Sequence, residues 1–374
     1  MRCIHLSASA ISTFKACPTR YRNAYIEGIR ADTDADPLRI GTSWHALHEA
    51  YHVAKMAGDT DPFAAAIVHL NEKYERIPDN KTDEEWAIER VTLAACFTGY
   101  LWYYKDDADI EMVATEISFE LPLMHPDIGM PLPMDEVKVL GKIDRLVRRQ
   151  GLISVGDYKS TSRSVGADSS IWGHLRLDTQ ISLYVMAARS LFPEMQIAGA
   201  FYDVWHKPTI RPKAISQKDT KILVETGEYC ETEFTVHVEE GEDSPNGVRW
   251  VKVDDRFAEI EPGKKGYAIR ETPELYGARL LQDIYKRPDF YFARRDIART
   301  DQDIRKFEKQ LYNIYQSIKR MRDSGHWFEN EHACEATFKC PYIPLCYPDV
   351  DITGGHTPTG FKRIFQDVTV GETD

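Results

Sequence analysis

Apolar side chains recur at helical spacing through the first hundred residues. An opening helix is predicted to reach about Ile26, with Ser9 or Ser12 as its N-cap. The apolar side of this helix would carry Ile11, Phe14, Tyr21 and Tyr25. The same spacing predicts three further helices, at residues 42–56, 62–76 and 83–105. The N-terminal part of the chain is therefore expected to be mainly helical.

The pattern changes in the middle of the chain, where β-branched residues become frequent. Strands are predicted at residues 112–123, 137–148 and 152–159. The last two are separated only by Arg149, Gln150 and Gly151, which predicts a β-hairpin.

Helical spacing returns at residues 171–191 and is followed by predicted strands at 199–206 and 210–215. Residues 217–270 fit neither period and are interpreted as a possible insertion. A long helix is predicted at 301–322, and the last twenty or so residues are expected to form a loose tail. This succession of helices and strands favours an α/β or α+β core with a helical N-terminal region.

The composition is that of a soluble globular protein, with 43% hydrophobic and 28% charged residues. No apolar run approaches the roughly 20 residues that cross a bilayer. The opening residues lack the unbroken apolar centre of a signal peptide. We therefore expect a cytoplasmic protein.

The net charge of −12 argues against a protein that coats nucleic acid nonspecifically, but it leaves room for a local basic track. One basic group follows Tyr291 and Phe292 and consists of Arg294, Arg295, Arg299, Arg305, Lys306 and Lys309. It could bind phosphates while the aromatic rings stack on bases. A solvated helix face is an equally good interpretation, because acidic residues interleave with it. The group Arg145, Arg148 and Arg149, beside the predicted hairpin, is better placed to meet a phosphate backbone.

Candidate chemistry is concentrated in the hairpin. Alternate residues of a strand share a face, so Asp157 and Lys159 would project together, and the hairpin would bring Asp144 beside them. Two neighbouring carboxylates repel unless a cation is present, and Mg²⁺ prefers such oxygen ligands. Lys159 could then orient the attacking water or offset developing negative charge. The set suits phosphodiester hydrolysis, although an Asp-x-Lys triplet alone is also common on the surface of ordinary hairpins.

The fuller pattern carries a family resemblance. The string Gly-Lys-Ile-Asp, which ends at Asp144, is followed after a short gap by Val-Gly-Asp-Tyr-Lys-Ser, which contains Asp157 and Lys159. This resembles the PD-(D/E)XK nuclease superfamily, and within it the RecB-like branch that includes CRISPR-adaptation and phage exonucleases. The residue before Asp144 is Ile143 rather than Pro, a departure that this branch often tolerates.

Further matches follow in the same order as in that branch. They are the opening Ser-Ala-Ser-x-Ile-x-x-Phe-x-x-Cys-Pro segment, Gly-Thr-Ser-Trp-His ending at His45, Glu116 on a predicted strand, and the pair Gln180 and Tyr184. The resemblance implies a restriction-endonuclease-like core, with a mixed β-sheet flanked by helices. It implies metal ligation by Asp144, Asp157, the carbonyl of Tyr158 and His45. It also implies that Lys159, Glu116, Gln180 and Tyr184 complete the catalytic site, with the last two contacting DNA.

Three histidines share the second predicted helix. His45, His48 and His52 fall at i, i+3 and i+7, a spacing that taken alone would also suit zinc. It is not the His-Glu-x-x-His of metalloproteases. Only His45 matches the family motif, so His48 and His52 are interpreted as packing or surface residues. Glu49 could hydrogen-bond to His45 from one turn away.

Four of the seven cysteines form a pattern. Cys334, Cys340 and Cys346 are separated by five residues each, and Cys17 lies far upstream. This set resembles the iron–sulfur nucleases of the same branch, in which four thiolates hold a [4Fe–4S] cluster that joins the chain ends. The commonest family spacing is two and then five residues, so structural zinc stays as an alternative, and simple burial as a third. Cys3, Cys96 and Cys230 are interpreted as structural.

The expected organisation is one RecB-like nuclease domain over residues 1–350 with a tail at 351–374. Its parts are a helical N-terminal part at about 1–110, a catalytic core at about 111–216, a possible insertion at 217–270 and a C-terminal helical and cysteine segment at 271–350. The expected function is that of a Mg²⁺- or Mn²⁺-dependent DNA exonuclease in recombination, repair or phage replication, acting on DNA with a single-stranded end. The alternative is an iron–sulfur or zinc DNA-binding or assembly factor that no longer cuts, against which the intact Asp144, Asp157 and Lys159 argue.

Overall fold

The structure is a computed structural model, and it describes residues 3–32, 36–106, 110–241, 247–263, 266–336, 339–352 and 357–364. The N-terminal part is mainly helical, as its apolar spacing predicts. In chain order its elements are β1 (Ile4–Leu6), α1 (Ala8–Ala16), α2 (Pro18–Tyr21), a π-helical turn (Arg22–Ile26), β2 (Ile29–Ala31), α3 (Asp36–Met56), α4 (Pro62–Lys73) and α5 (Asp83–Tyr103).

The opening helix differs from the prediction at both its start and its middle. Ser7, not Ser9 or Ser12, is the N-cap of α1, and its side chain accepts a hydrogen bond from the Ala10 amide. The helix then breaks at Cys17, which has an extended backbone with φ of −162°. The break follows from Pro18, because a proline disfavours the helical conformation in the residue before it. Cys17 therefore lies in the break between α1 and α2.

The middle of the chain alternates strands and helices. Its elements are β3 (Ile110–Pro122), β4 (Val137–Arg149), β5 (Leu152–Thr161), α6 (Ser170–Arg176), α7 (Thr179–Leu191) and β6 (Ile197–His206). The predicted hairpin is confirmed, and its turn uses positive φ at Gln150 and Gly151. The single helix expected at 171–191 is two helices, because Asp178 leaves the helical conformation and caps α7.

The residues that follow β6 form a small unit with its own apolar core, around Leu223, Val251 and Ile269. Its elements are α8 (Gln217–Thr226), β7 (Glu228–Tyr229), β8 (Thr232–Glu233), β9 (Val236–Glu240), β10 (Val248–Val253), β11 (Arg256–Ala258), β12 (Ile260–Gly263) and β13 (Gly266–Ile269). The strand expected at 210–215 is wrong, since only Ala214 makes an isolated bridge there, to Arg270.

The C-terminal part contains two strands outside the expected pattern. Its elements are α9 (Pro273–Lys286), α10 (Pro288–Tyr291), β14 (Phe292–Ala298), α11 (Asp301–Ser324), a 3₁₀ turn (Glu331–Ala333), α12 (Ile343–Cys346) and β15 (Phe361–Arg363). The expectation of a loose tail is wrong at β15, which pairs with β2. Residues 353–356 and 365–374 of that tail lie outside the described residues.

Six strands of the described residues form the central sheet, in the order β1-β4-β5-β6-β14 with β3 also paired to β4. The β1–β4 and β5–β6 pairs are parallel, and the others are antiparallel. Helices α1, α7 and α11 cover one face, and α3, α5 and α9 cover the other. This confirms the expected mixed sheet flanked by helices. No helix in the described part of the chain is both long enough and apolar enough to span a membrane.

The sheet contains a fork that positions the candidate site. Strand β3 pairs along nearly the whole length of β4, so β1 and β5 must share the other edge of β4. On that edge β1 pairs with Val137–Val139, whereas β5 pairs with Arg145–Arg149. Between these two ladders, residues 140–144 of β4 pair with no described strand on this edge and face the neighbouring helices. We call this place, where β1 and β5 diverge beside Asp144, the fork.

Candidate active site

The two candidate carboxylates stand at this fork. The antiparallel ladder between β4 and β5 ends at the pair Arg145↔Gly156, so Asp144 and Asp157 occupy the next position on each strand. The backbone amide of Tyr158 donates to Asp144 Oδ2 at 3.4 Å, which holds the first carboxylate against the second strand. Asp157 is fully buried and Asp144 largely so. The structure thus brings together the two carboxylates that the hairpin predicts as neighbours.

Lys159 and Gln180 close a ring with Asp157. The Lys159 ammonium lies 3.1 Å from Asp157 Oδ2 and donates to Gln180 Oε1 at 2.6 Å. The Gln180 amide in turn donates to Asp157 Oδ1 at 2.9 Å. Gln180 is held at this place because Asp178, the N-cap of α7, accepts a hydrogen bond from its backbone amide at 2.8 Å. The polar ends of the three side chains are therefore positioned by one another.

His45 approaches the carboxylates from helix α3. Its Nδ1 lies 3.1 Å from Asp144 Oδ2, and its side chain is partly exposed. On the other side of β4, the Thr115 hydroxyl donates to the Asp144 carbonyl at 3.0 Å. Asp144 is thus contacted by groups from α3, β3 and β5.

Burial and charge drive the pKa values of the two carboxyl groups apart. Burial raises the pKa of Asp157 to about 6, because the nearby Lys159 charge only partly offsets the loss of water. Burial also acts on Asp144, but the hydrogen bond and charge of His45 outweigh it, and the pKa of Asp144 is lowered. For His45, burial is outweighed by Asp144, and its pKa is raised. The charges of Asp157 and Asp178 likewise outweigh burial at Lys159, so its pKa is raised and it is a cation at neutral pH.

Glu116 lies beside Asp144 on the adjacent strand, between the ladder pairs Thr115↔Arg145 and Ile117↔Ile143. Its φ is +55°, a conformation that a residue other than glycine seldom adopts in a strand. Its carboxylate forms an ion pair with Lys142, which also donates to Glu49 Oε1 at 3.3 Å. Glu49 therefore contacts Lys142 instead of the expected His45.

Tyr184 lies one turn after Gln180 on α7 and is buried. Its ring meets Phe119 edge-on at 6.0 Å. Burial raises the pKa of its hydroxyl, and the charges of Asp144 and Asp157 add to this effect, as expected for a group beside the two carboxylates. Each of the sequence-predicted catalytic side chains therefore lies at or next to the fork.

The donor set at the fork is suited to a hard divalent cation. Asp157 Oδ2 is buried, and its contact among the described residues is the ion pair with the Lys159 ammonium at 3.1 Å. Carboxylate and carbonyl oxygens are the ligands that Mg²⁺ and Mn²⁺ prefer. The described residues contain no preformed cage of three or more His, Cys, Asp or Glu side chains. The carboxylate groups are instead contacted by His45, the Tyr158 amide and Lys159.

The four patterned cysteines are brought into one neighbourhood. All seven cysteines lie within the described residues and are free thiols. Burial raises the pKa of Cys334 and of Cys346, and in both cases the charges of Cys340 and Cys17 raise it further. The segment before Cys334 is tied to the region of Cys17 by hydrogen bonds from Asn330 Nδ2 to the Ala16 carbonyl at 2.8 Å and from the Thr19 amide to the Phe328 carbonyl at 3.2 Å.

The basic groups singled out in the sequence serve the fold more than an external ligand. Arg294 donates to the buried Asp203, Arg295 stacks on Trp172 at 4.3 Å, and Arg299 is buried. The neighbouring rings, Tyr291 and Phe292, are fully buried and unavailable for stacking on bases. Only the α11 members of the group, Arg305, Lys306 and Lys309, are exposed.

The second basic group is also different from expectation. Arg145 is buried and bonded to Asp203, so its expected contact with a phosphate backbone is wrong. Arg148 and Arg149 are partly exposed but ion-paired, with Glu111 and Asp296 respectively. These internal partners escape prediction because they are distant in the chain. Asp178 was not predicted either, although its N-cap position before a helix was an available signal.

Comparison with known proteins agrees with this geometry. The chain is 25% identical over 397 aligned positions to a subunit of the ATP-dependent helicase/deoxyribonuclease of Moorella thermoacetica, and the alignment covers 97% of this chain. The chain spans only 31% of the length of that relative. A family model for the PD-(D/E)XK nuclease superfamily matches residues 5–347, a range that includes the whole of β3, β4 and β5. The mixed sheet is accordingly a restriction-endonuclease-like core, and the chain belongs to the PD-(D/E)XK nuclease superfamily.

Proposed function

We propose that this protein is a DNA nuclease that depends on Mg²⁺ or Mn²⁺ and hydrolyses phosphodiester bonds at the fork. The observation that carries the proposal is the ring of Asp157, Lys159 and Gln180, with Asp144 beside it, in a chain of this superfamily. Asp157 Oδ2 is buried beside a second carboxylate and has the Lys159 ammonium as its contact, so a further cation bound between the two carboxylates would lower the free energy of the folded protein.

In this proposal, Asp144, Asp157, the carbonyl of Tyr158 and His45 hold the cation. When bound, the metal lowers the pKa of a water molecule and offsets charge on a phosphoryl oxygen. Lys159 stays protonated beside Asp157 and Asp178, so it stabilises negative charge on the phosphate and does not remove a proton.

The remaining residues of the site orient these groups. Gln180 fixes Lys159 relative to Asp157, since it bonds to both. Tyr184 lies beside the same carboxylates and is the proposed contact for the DNA strand that enters the site. Glu116 holds Lys142 next to Asp144, where a second cationic side chain can meet a phosphate.

DNA is the proposed substrate, and exonucleolytic removal from a single-stranded end is the proposed mode, in recombination, repair or phage replication. The name of the matched relative, which describes a helicase/deoxyribonuclease, supports DNA as the substrate class. We also propose that residues 1–350, together with β15, form one nuclease domain, with the small unit inserted at about 217–270. In support, the unit has its own apolar core and is joined to the rest near the bridge Ala214↔Arg270.

Digestion of DNA strands labelled at the 5′ or the 3′ end, single- and double-stranded, in Mn²⁺ tests the function and its mode. We expect end-dependent cleavage by the wild type and a loss of about a hundredfold or more in Lys159→Ala. Lys138→Ala is the matched control, because Lys138 lies on β4 and is ion-paired with Glu120 away from the fork. Equal cleavage by wild type and Lys159→Ala would overturn the assignment. Tight DNA binding without cleavage under any divalent metal would instead favour a non-cleaving DNA-binding factor.

We further propose that Cys17, Cys334, Cys340 and Cys346 hold a [4Fe–4S] cluster. The charges of Cys17 and Cys340 raise the pKa values of Cys334 and Cys346, so a cationic centre among these side chains would stabilise them as thiolates, and four thiolates suit either such a cluster or zinc. A visible absorption spectrum together with iron and zinc analysis of protein purified without oxygen distinguishes the two. A colourless preparation with zinc and no iron would contradict the cluster, and Cys340→Ser should remove whichever metal is present, whereas Cys230→Ser should not.

A further inference from the structure

An aromatic and cationic stack lies directly behind the fork. The ring of Tyr158 is sandwiched between the Arg145 guanidinium, 3.9 Å from its centre, and the imidazole of His48, at 3.8 Å and nearly parallel. The Tyr158 hydroxyl accepts a hydrogen bond from Arg145 Nη1 at 2.6 Å and lies 2.8 Å from His52 Nε2. Both faces and the polar end of the ring are therefore fixed.

Each member of this stack is next to a residue of the proposed metal site. Arg145 directly follows Asp144 on β4, and Tyr158 lies between Asp157 and Lys159 on β5. His48 lies one helical turn after His45 on α3. Alternate strand residues point to opposite faces, so the stack lies on the face of the sheet opposite to the carboxylates. On this opposite face, the stack connects β4, β5 and α3, which are the same three elements that supply the proposed metal ligands.

The charge in the stack is neutralised from a fourth element. Asp203 on β6 accepts hydrogen bonds from Arg145 Nη2 at 3.0 Å and from Arg294 Nε at 2.8 Å. Gly156 makes room for the arginine, because a Cβ at this position would come within 2.5 Å of Arg145 Nε. Asp203 thus serves as the counter-charge of the guanidinium. Without it, the guanidinium would compete with a metal cation for the active-site carboxylates.

An apolar stack would hold three elements together at least as well, because buried ion pairs lose much of their attraction to desolvation. The polar stack, unlike an apolar one, also fixes the orientation of the Tyr158 ring. Hydrogen bonds require one orientation of the Tyr158 ring, whereas apolar contacts tolerate sliding. A shift of β5 along β4 would break the bonds of Tyr158 before it changed the buried apolar area.

On the basis of the proposed nuclease function, we propose that Tyr158 is a positioning residue, whose side chain, held between Arg145 and His48, fixes β4, β5 and α3 at the spacing that the metal ligands require. The side chain itself touches neither metal nor DNA. Groups that orient metal ligands from behind typically change metal affinity or activity by about 10–100-fold when they are removed.

Tyr158→Phe tests this role, because it keeps the ring and removes the two contacts of the hydroxyl. We expect Mn²⁺ binding, measured by electron paramagnetic resonance titration without DNA, to weaken by about 10–100-fold. The kcat for DNA cleavage should fall at subsaturating Mn²⁺, while the KM for DNA stays unchanged. Tyr229→Phe is the matched control, since it removes a buried tyrosine hydroxyl that bonds to Glu271 in the inserted unit.

Wild-type Mn²⁺ affinity and kcat in Tyr158→Phe would overturn the positioning role and leave the nuclease function standing. If the wild type neither binds Mn²⁺ nor cleaves DNA, the nuclease function fails, and the positioning role fails with it. An equal loss of Mn²⁺ affinity in Tyr229→Phe would show a general effect of destabilisation, and would also overturn the role.

His48 provides a second, independent test. Neither of its ring nitrogens has a hydrogen-bond partner within the described residues, so it acts in the stack as a flat ring. His48→Phe should therefore keep Mn²⁺ affinity and cleavage, whereas His48→Ala should lower both. If His48→Phe loses as much as His48→Ala, the imidazole nitrogens are needed, and stacking on Tyr158 is the wrong account of its role.

Discussion

Asp157 and Asp203 are both fully buried on adjacent strands of one sheet, and they differ in how their oxygens are bonded. They point to opposite faces, since the β5–β6 ladder pairs Asp157 with Tyr202 and Tyr158 with Asp203. Asp203 Oδ2 accepts hydrogen bonds from Arg145, Arg294 and Tyr100. Asp157 accepts a hydrogen bond at Oδ1 from Gln180, and its Oδ2 is contacted by the Lys159 ammonium at 3.1 Å.

The difference separates a structural carboxylate from a functional one. Buried charges in folded proteins are normally paired and hydrogen-bonded, and Asp203 has two arginine partners. The buried Glu271, which follows β13, is likewise bonded by Arg279, Tyr229 and the Lys213 amide. Asp157 has one cationic partner, Lys159, and one hydrogen bond, from Gln180, so it keeps bonding capacity for a ligand. Four substitutions test this comparison.

The largest effect is expected from Asp157→Asn. The amide keeps the contact with Gln180 but is a poor ligand for a divalent cation, so cleavage should fall about a thousandfold or more. The free energy of unfolding should fall by only about 1–2 kcal/mol, because Lys159 loses one counter-charge but keeps Asp178, and Asp144 loses a neighbouring like charge. Cleavage assays in Mn²⁺ and urea denaturation measure the two quantities. A large loss of stability together with full activity would reverse the assignments of Asp157 and Asp203.

Asp203→Asn should instead destabilise the fold. It leaves Arg145 and Arg294 buried without a counter-charge, which typically lowers the free energy of unfolding by about 3–5 kcal/mol. Asp296→Asn is the control, since Asp296 pairs with Arg149 at the surface, and a change of about 1 kcal/mol or less is expected there. Equal urea midpoints for the two variants would show that the Asp203 network does not carry stability.

Gly156→Ala should displace Arg145 and thereby disturb the packing on both faces of the central sheet. The added Cβ would overlap Arg145, and overpacking of this kind costs about 1–3 kcal/mol. Gly173→Ala on α6 is the control, because no described atom lies within 4 Å of its added Cβ, and helical alanine should raise stability by about 0.5–1 kcal/mol. Thermal unfolding distinguishes the variants, and an undisturbed Gly156→Ala would mean that Arg145 moves freely.

The smallest effect is expected from Glu116→Gly. Its φ of +55° is strained for glutamate, and glycine should relieve this by about 1 kcal/mol while removing the contact with Lys142. A gain in stability with a loss of cleavage would indicate that the positive φ of Glu116 is retained for function. Glu111→Gly, on the same strand with an ordinary φ and an ion pair to Arg148, should only lose stability. Identical behaviour of both variants would remove Glu116 from the site.

Local patterns predicted the hairpin because its two strands are close in sequence. A hairpin turn and strand alternation are enough to place Asp144 beside Asp157 and Lys159. Gln180 and Tyr184 were assigned to the site through the family resemblance, and helical spacing added only that they share one helix face.

Features that depend on distant partners were not predicted. Strand β14 contains Arg294, Arg295 and Asp296 and has the composition of a surface segment. It is the edge strand of the central sheet, where it pairs with β6 and its arginines contact Asp203 and Trp172, which are distant in sequence. The same applies to β1, a three-residue strand whose partner begins at Val137. The extended backbone at Cys17, where a continuous helix was expected, has a local cause instead, because Pro18 disfavours the helical conformation in the residue before it.

The pairing of β15 with β2 has a consequence for biosynthesis. Ala31 meets Phe361 across this ladder, so the early strand acquires its partner only after a further 330 residues have been translated. At about 5–20 residues per second, the delay is on the order of tens of seconds. During that time the first helices emerge from the ribosome without their closing strand, and loop-closure entropy slows the joining of such distant segments. Pairing of β2 with β15 is therefore a late event in the synthesis of this chain.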